Sequence, residues 1–270
     1  MYPILFSLGP VHIYSFGVFL ALAFVSGSFY VWRESRNEFG EEIMLDTLVM
    51  TAILAFLGAR LFYILSHFSN FDFNFLRWIH LYLYPGFSFW GGVLGGVLGA
   101  FWFTKKKTLP FGRVMDFLVL GAGLGQIFGQ IGCFLNGCTV GKVTNLSWGM
   151  PVIGFLGKRH PVALYDALGA LVIFLITLRV YLWIFRQKRE RSGRAGLTYL
   201  TLLALFSFPL EFFKEGGVYF YTLSLNQWVA VIFVIGTGIF WLSFLKDPRR
   251  VILGPLGFIF QRLKVLKGGE

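Results

Sequence analysis

Charged side chains are scarce in this chain: 14% of its 270 residues, against the roughly one quarter usual for a soluble domain. A water-facing surface of ordinary polarity is therefore excluded. Acidic groups are scarcer still, 13 against 24 Lys and Arg. There are only two cysteines, Cys133 and Cys138, too few for a disulfide framework. Five residues apart, they are not a C-x-x-C pair and have no accompanying His or Cys cluster, so no metal site and no cofactor is expected. No basic segment precedes the first apolar run, which reads as a span rather than a cleavable leader. No internal repeat suggests a transporter of inverted halves. What is abundant is apolar surface: 56% hydrophobic residues, 33 of them Phe, with a mean hydropathy of +0.70. Such a chain faces lipid.

Crossing about 30 Å of hydrocarbon takes roughly 20 apolar residues. Seven segments approach that, at about 13–32, 45–66, 87–104, 114–135, 163–185, 197–213 and 225–245. The sequence thus predicts an all-α, polytopic membrane helix bundle of about seven transmembrane helices, one transmembrane domain over 1–270. Alternate connections carry 17 Lys and Arg, and the opposite ones carry five. Positive residues stay in the cytoplasm, so the N-terminus is expected outside and the basic tail, about 246–270, in the cytoplasm. The same alternation accounts for the net charge of +11 without nucleic acid, because the basic residues lie between spans rather than on one face. The outer loops, about 67–86 and 136–161, are rich in aromatic residues, Gly and Asn, and suit the outer interface. The third span carries Gly91, Gly92, Gly95, Gly96 and Gly99, a spacing that lets helices approach closely.

Ionisable groups in or beside spans cost about 2.5–3.5 kcal/mol to insert and are functional candidates by default. Arg60 lies within the second span, Asp116 opens the fourth, Asp166 opens the fifth and Glu211 ends the sixth. Bland readings stand beside the functional ones. Arg60 and Glu211 suit an interhelical ion pair, and Asp116 and Asp166 suit snorkelling or helix capping. His160, on the outer side next to Arg159, is the best positioned for proton transfer, or else is a hydrogen-bonded interfacial histidine.

One run is distinctive. Gly129-Gln130-Ile131-Gly132-Cys133-Phe134-Leu135-Asn136-Gly137-Cys138-Thr139-Val140-Gly141 resembles the signature of the prolipoprotein diacylglyceryl transferase family, roughly G-R-x-G-N-F-x-N-G-E-x-x-G. Other stretches agree in order: Gly58-Ala59-Arg60, Ser88-Phe89-Trp90-Gly91-Gly92 and Arg159-His160-Pro161-Val162-Ala163-Leu164-Tyr165-Asp166. Glu211-Phe212-Phe213-Lys214 and Leu225-Asn226-Gln227-Trp228 follow. The resemblance covers nearly the whole chain. It implies transfer of a diacylglyceryl group from the phospholipid phosphatidylglycerol to the thiol of a prolipoprotein lipobox cysteine, in a bacterial inner (plasma) membrane. On that reading His160, Glu211 and Asp116 are catalytic. Arg60, Gln130, Asn136, Gly141, Lys142, Arg159, Tyr165, Gly91 and Gly92 bind substrate.

The departures from the pattern are specific. The family's signature Arg is Gln130, its Asn is Cys133 and its Glu is Cys138. The His before Gly-Gly is Trp90, and an Arg one turn before Glu211 is Ser207. Loss of cations facing a leaving phosphate supports the alternative: a relative with lost or altered activity, binding a lipid or transferring another group. Lys142, Arg159 and Lys214 remain on the outer side. A transporter or channel would need charged residues at the midplane of several spans, and only Arg60 lies that deep.

Overall fold

The computed structural model describes residues 2–9, 11–186 and 192–245; the expected basic tail lies outside them. In chain order the elements are β1 (Ile4–Leu8), β2 (Val11–Tyr14), α1 (Ser15–Phe39), α2 (Glu41–Ser66), α3 (Phe68–Phe71) and α4 (Phe75–Ile79). Then come α5 (Phe89–Lys106), α6 (Phe111–Asn136), β3 (Met150–Pro151), β4 (Lys158–Arg159), α7 (Val162–Arg186) and α8 (Arg194–Leu210). A 3₁₀ turn (Glu211–Phe213), β5 (Tyr219–Phe220), β6 (Leu223–Ser224) and α9 (Leu225–Leu245) complete the described residues.

Among the described residues six helices, all the long ones but α5, are long and apolar enough to cross a membrane. At about 1.5 Å per residue, the 25 residues of α1 and the 26 of α2 and α6 reach about 38 Å, more than a bilayer core. The seventh expected span forms α5, but five glycines and two terminal lysines among its 18 residues keep its hydropathy below that of the others. What its glycines provide is contact. A Cβ on Gly58 would lie 2.6 Å from the Gly91 carbonyl oxygen, and one on Gly95 2.3 Å from that of Leu54. The helices α2 and α5 pack backbone to backbone, which no residue with a side chain allows.

The three strand pairs are short antiparallel hairpins at the ends of the bundle, and sequence periodicity did not signal them. They lie beside helix ends, where backbone groups cannot be left unpaired in lipid. The bundle centres on α6, which packs against α1, α7 and α8 and touches α5. Its buried residues Val114, Met115, Phe117, Val119 and Leu120 enter both apolar cores. At its N-terminal end Arg113 makes a bidentate pair with Glu38 of α1, Nε donating at 3.0 Å to Oε1 and Nη2 at 2.9 Å to Oε2.

Candidate active site

The polar residues at the C-terminal end of α6 and the ends of α7 and α8 that meet it form one cluster. Its floor is a small backbone junction. The amide of Lys142 donates to the Phe213 carbonyl at 2.8 Å, that of His160 to the Lys142 carbonyl at 3.0 Å, and that of Glu215 to the Val140 carbonyl at 2.8 Å. Gly141 lies at the crossing. A Cβ there would stand 2.2 Å from the His160 carbonyl oxygen and 2.9 Å from its Cβ, so only glycine lets the strand pass behind the histidine.

His160 stands on this junction at the start of α7. Its Nδ1 lies 3.4 Å from the Tyr165 hydroxyl, and its ring lies against Phe213 at 5.1 Å between centroids. The indole N–H of Trp148 donates to the same hydroxyl at 2.8 Å, which orients the phenol toward the histidine. Arg159, 7% exposed, donates through Nη1 to the Gly141 carbonyl at 3.0 Å and is ion-paired with Glu215. Its Nε has no hydrogen-bond partner among the described residues. Cys133, Thr139, Arg159, His160 and Val162 line a cleft of about 10 Å³, room for one water and not for a lipid chain.

A second polar layer lies deeper between α6, α7 and α8. Gln126 and Gln130, one turn apart, donate to the two carboxylate oxygens of Asp166 at 3.3 and 3.1 Å, and the Tyr199 hydroxyl donates to Gln126 at 2.8 Å. Glu211, 6% exposed, holds Lys214 Nζ at 2.8 Å and accepts from the Asn226 amide at 2.8 Å. Asp166 and Lys214 lie within electrostatic reach of each other.

The structure therefore gathers Gln130, Gly141, Lys142, Arg159, His160, Tyr165 and Glu211 at one end of the bundle. Asn136 borders them, its amide 3.7 Å from Cys138 Sγ. Lys142 joins through its backbone, while its side chain is exposed. Four other expected site residues make contacts outside this cluster. Asp116 is about 30 Å away along α6, since 20 residues separate it from Asn136. Its oxygens accept from the Gly193 and Gly196 amides at 2.7 and 2.9 Å, so it caps α8. Gly91 and Gly92 face α2: a Cβ on Gly91 would meet Phe62 Cβ at 2.4 Å, and one on Gly92 Ala59 Cβ at 3.5 Å. Arg60 does not pair with Glu211. It donates to the carbonyls of Trp78, Gly86 and Arg77 at 3.1, 2.9 and 3.4 Å, tying the following loop down. Trp90 is 2% exposed and packs on Phe233 at 4.9 Å.

Sequence reasoning did not single out Gln126, Tyr199 or Trp148, and it met Asn226 only within the Leu225-Asn226-Gln227-Trp228 stretch. Gln126 carried a usable signal, an amide one turn before Gln130 inside an apolar run.

A sequence model described as prolipoprotein diacylglyceryl transferase matches residues 3–243. The chain belongs to this family. Among curated family members, the phosphatidylglycerol–prolipoprotein diacylglyceryl transferase of Clostridioides difficile is 28% identical over 86% of this chain and 90% of its own length. That of Campylobacter hominis is 30% identical over 92% of each chain, and that of Pseudoalteromonas atlantica 33% identical over 79% of this chain and 75% of its own. Helices long and apolar enough to cross a membrane make up about half of this prolipoprotein diacylglyceryl transferase family member.

Proposed function

We propose that this protein moves a diacylglyceryl group from phosphatidylglycerol to a lipobox cysteine thiol, at the α6–α7–α8 end of the bundle. The reading is supported by the family match over residues 3–243, with His160, Tyr165 and Gly141 of the resembling motifs joined in one cluster. The acceptor thiol loses its proton to His160, with Tyr165 holding the imidazole. The thiolate attacks the diacylglyceryl carbon that carries the phosphate ester oxygen, that C–O bond breaks, a thioether forms, and glycerol phosphate leaves. Arg159 offers the leaving phosphate its guanidinium as the exposed Glu215 carboxylate turns away. Gln130 acts through Asp166, and Glu211 holds Lys214. The excess of Lys and Arg in alternate connections supports this end facing outward in a bacterial inner membrane, where lipid enters from the outer leaflet.

A second reading has its own support. Where the family pattern has cations and a histidine, Gln130 donates as a neutral amide, and Trp90 is buried in an apolar core. A relative that binds a lipid, or transfers another group, would tolerate both.

Complementation tests the choice. The resident transferase is depleted in a bacterium that requires it, this chain is expressed, and diacylglyceryl transfer to a labelled lipoprotein is followed. Growth and modified product, both lost in His160→Ala, are expected. A well-inserted protein without product would sink the transferase reading and leave the second.

A further inference from the structure

The C-terminus of α6 ends in a left-handed cap. Gly137 takes φ 77° and ψ 28°, its amide donates to the Cys133 carbonyl at 2.8 Å, and the Cys138 amide donates to the same carbonyl at 3.1 Å. This six-residue closure brings together the side chains four before and one after the cap glycine, usually as an apolar contact. Here those side chains are Cys133 and Cys138, the only two cysteines of the chain. The bond from the Cys138 amide to the Cys133 carbonyl sets the two residues side by side across the cap, as a disulfide, with its Cα atoms roughly 4.4–6.8 Å apart, requires. The two thiols are within hydrogen-bonding reach of each other, and both cysteines are free.

We propose that Cys133 and Cys138 form a reversible dithiol–disulfide pair at the end of α6. Cys138 is the attacking partner, because it is exposed while Cys133 is half-buried beside Thr139 Oγ1 at 3.5 Å. The Cys133 thiol and then the Asn136 amide, both hydrogen-bonding to the Cys138 sulfur, lower its pKa from the ordinary thiol value to about 7. The oxidant is a small-molecule or protein disulfide. The Cys138 thiolate attacks one of its sulfurs, forming a mixed disulfide and expelling one thiolate. Cys133 gives its proton to solvent, attacks the Cys138 sulfur and expels the second. Two electrons pass to the oxidant, which leaves as two thiols. Closure takes from Asn136 the sulfur it now contacts and stiffens the segment that leads to Gly141 beneath His160. The pair stands independently of the transferase reading, because its state is read without activity.

The test uses the full chain in lipid nanodiscs, equilibrated with mixtures of reduced and oxidised glutathione, then treated with a maleimide and weighed intact. Both thiols should disappear together in one two-electron transition, without dimer, and return with dithiothreitol. A cross-linked Cys133–Cys138 peptide should appear on digestion. Cys133→Ser, one atom different, should instead accumulate glutathione on Cys138. The proposal is overturned if wild-type protein keeps either thiol alkylatable under full oxidation, carries glutathione without the internal bond, or links into dimers. The wild-type titration decides the matter alone if the serine variant does not fold.

Discussion

Gly141→Ala is the sharpest probe of the site. The added Cβ would stand 2.2 Å from the His160 carbonyl oxygen, where a relaxed contact needs at least about 3.2 Å. Strand and histidine must therefore part by about 1 Å. A misplacement of that size can cost about 10²-fold in rate, or about 2.7 kcal/mol in the barrier. The shift also loosens the Gly141 carbonyl that Arg159 holds at 3.0 Å and the Gly141–Lys214 bridge. The assay is transfer of labelled diacylglycerol to a lipobox peptide in nanodiscs. We expect kcat down about 10²-fold, with thermal unfolding little changed because the junction lies at the bundle end. Gly17→Ala, where a Cβ meets nothing within 4 Å, should leave kcat alone. A Gly141→Ala protein within threefold of wild type would refute the claim that this crossing positions His160.

The remaining predictions concern stability, charge and thiols. Asp116→Ala removes two hydrogen bonds to a buried carboxylate and should cost about 2–4 kcal/mol in unfolding, with Asp116→Asn between; loss of transfer at unchanged stability would restore a chemical role. Arg60→Ala should raise hydrogen exchange across residues 77–86 without raising KM for phosphatidylglycerol; the reverse result would mean that Arg60 binds lipid phosphate. Alkylation of Cys138 should climb with pH, half-maximal near 7, since only the thiolate reacts; a midpoint near 8.5 would contradict the hydrogen bond from Cys133. Glu215→Gln should lower KM for phosphatidylglycerol about two- to fivefold by freeing Arg159, and an unchanged KM would remove Arg159 from headgroup binding.

The helices were legible because lipid imposes one simple rule: apolar runs of sufficient length with every backbone group paired. Glycine blurred it at α5, where close packing and hydropathy pull composition in opposite directions. The hairpins were not legible, being two to five residues long with no alternation to read. At the candidate site, His160 and Arg159 stood out in the sequence because polar residues beside a span are rare. The partner of Arg60 was misjudged for a physical reason: a guanidinium can be satisfied by carbonyls as well as by a carboxylate. Those carbonyls belong to a loop 17 to 26 residues further along the chain. Asp116 was correctly suspected as a cap, but of α8, 77 and 80 residues away, a pairing no local pattern encodes.

The charges left at the site narrow which cation can meet an incoming phosphate. Lys214 is paired with Glu211, whose side chain is 6% exposed. Displacing that carboxylate would leave it buried and uncompensated, at a cost of about 3–5 kcal/mol. Arg159 is paired with Glu215, whose side chain is 45% exposed and can turn into water, where such pairs are worth about 1 kcal/mol or less. A phosphate can thus exchange places with Glu215 but not with Glu211. Arg159 keeps its Nη1 bond to the Gly141 carbonyl throughout, so the guanidinium stays oriented while its acidic partner changes. Of the two ion-paired cations at the site, Arg159, the residue preceding the histidine, is thus the one that can turn to a leaving phosphate.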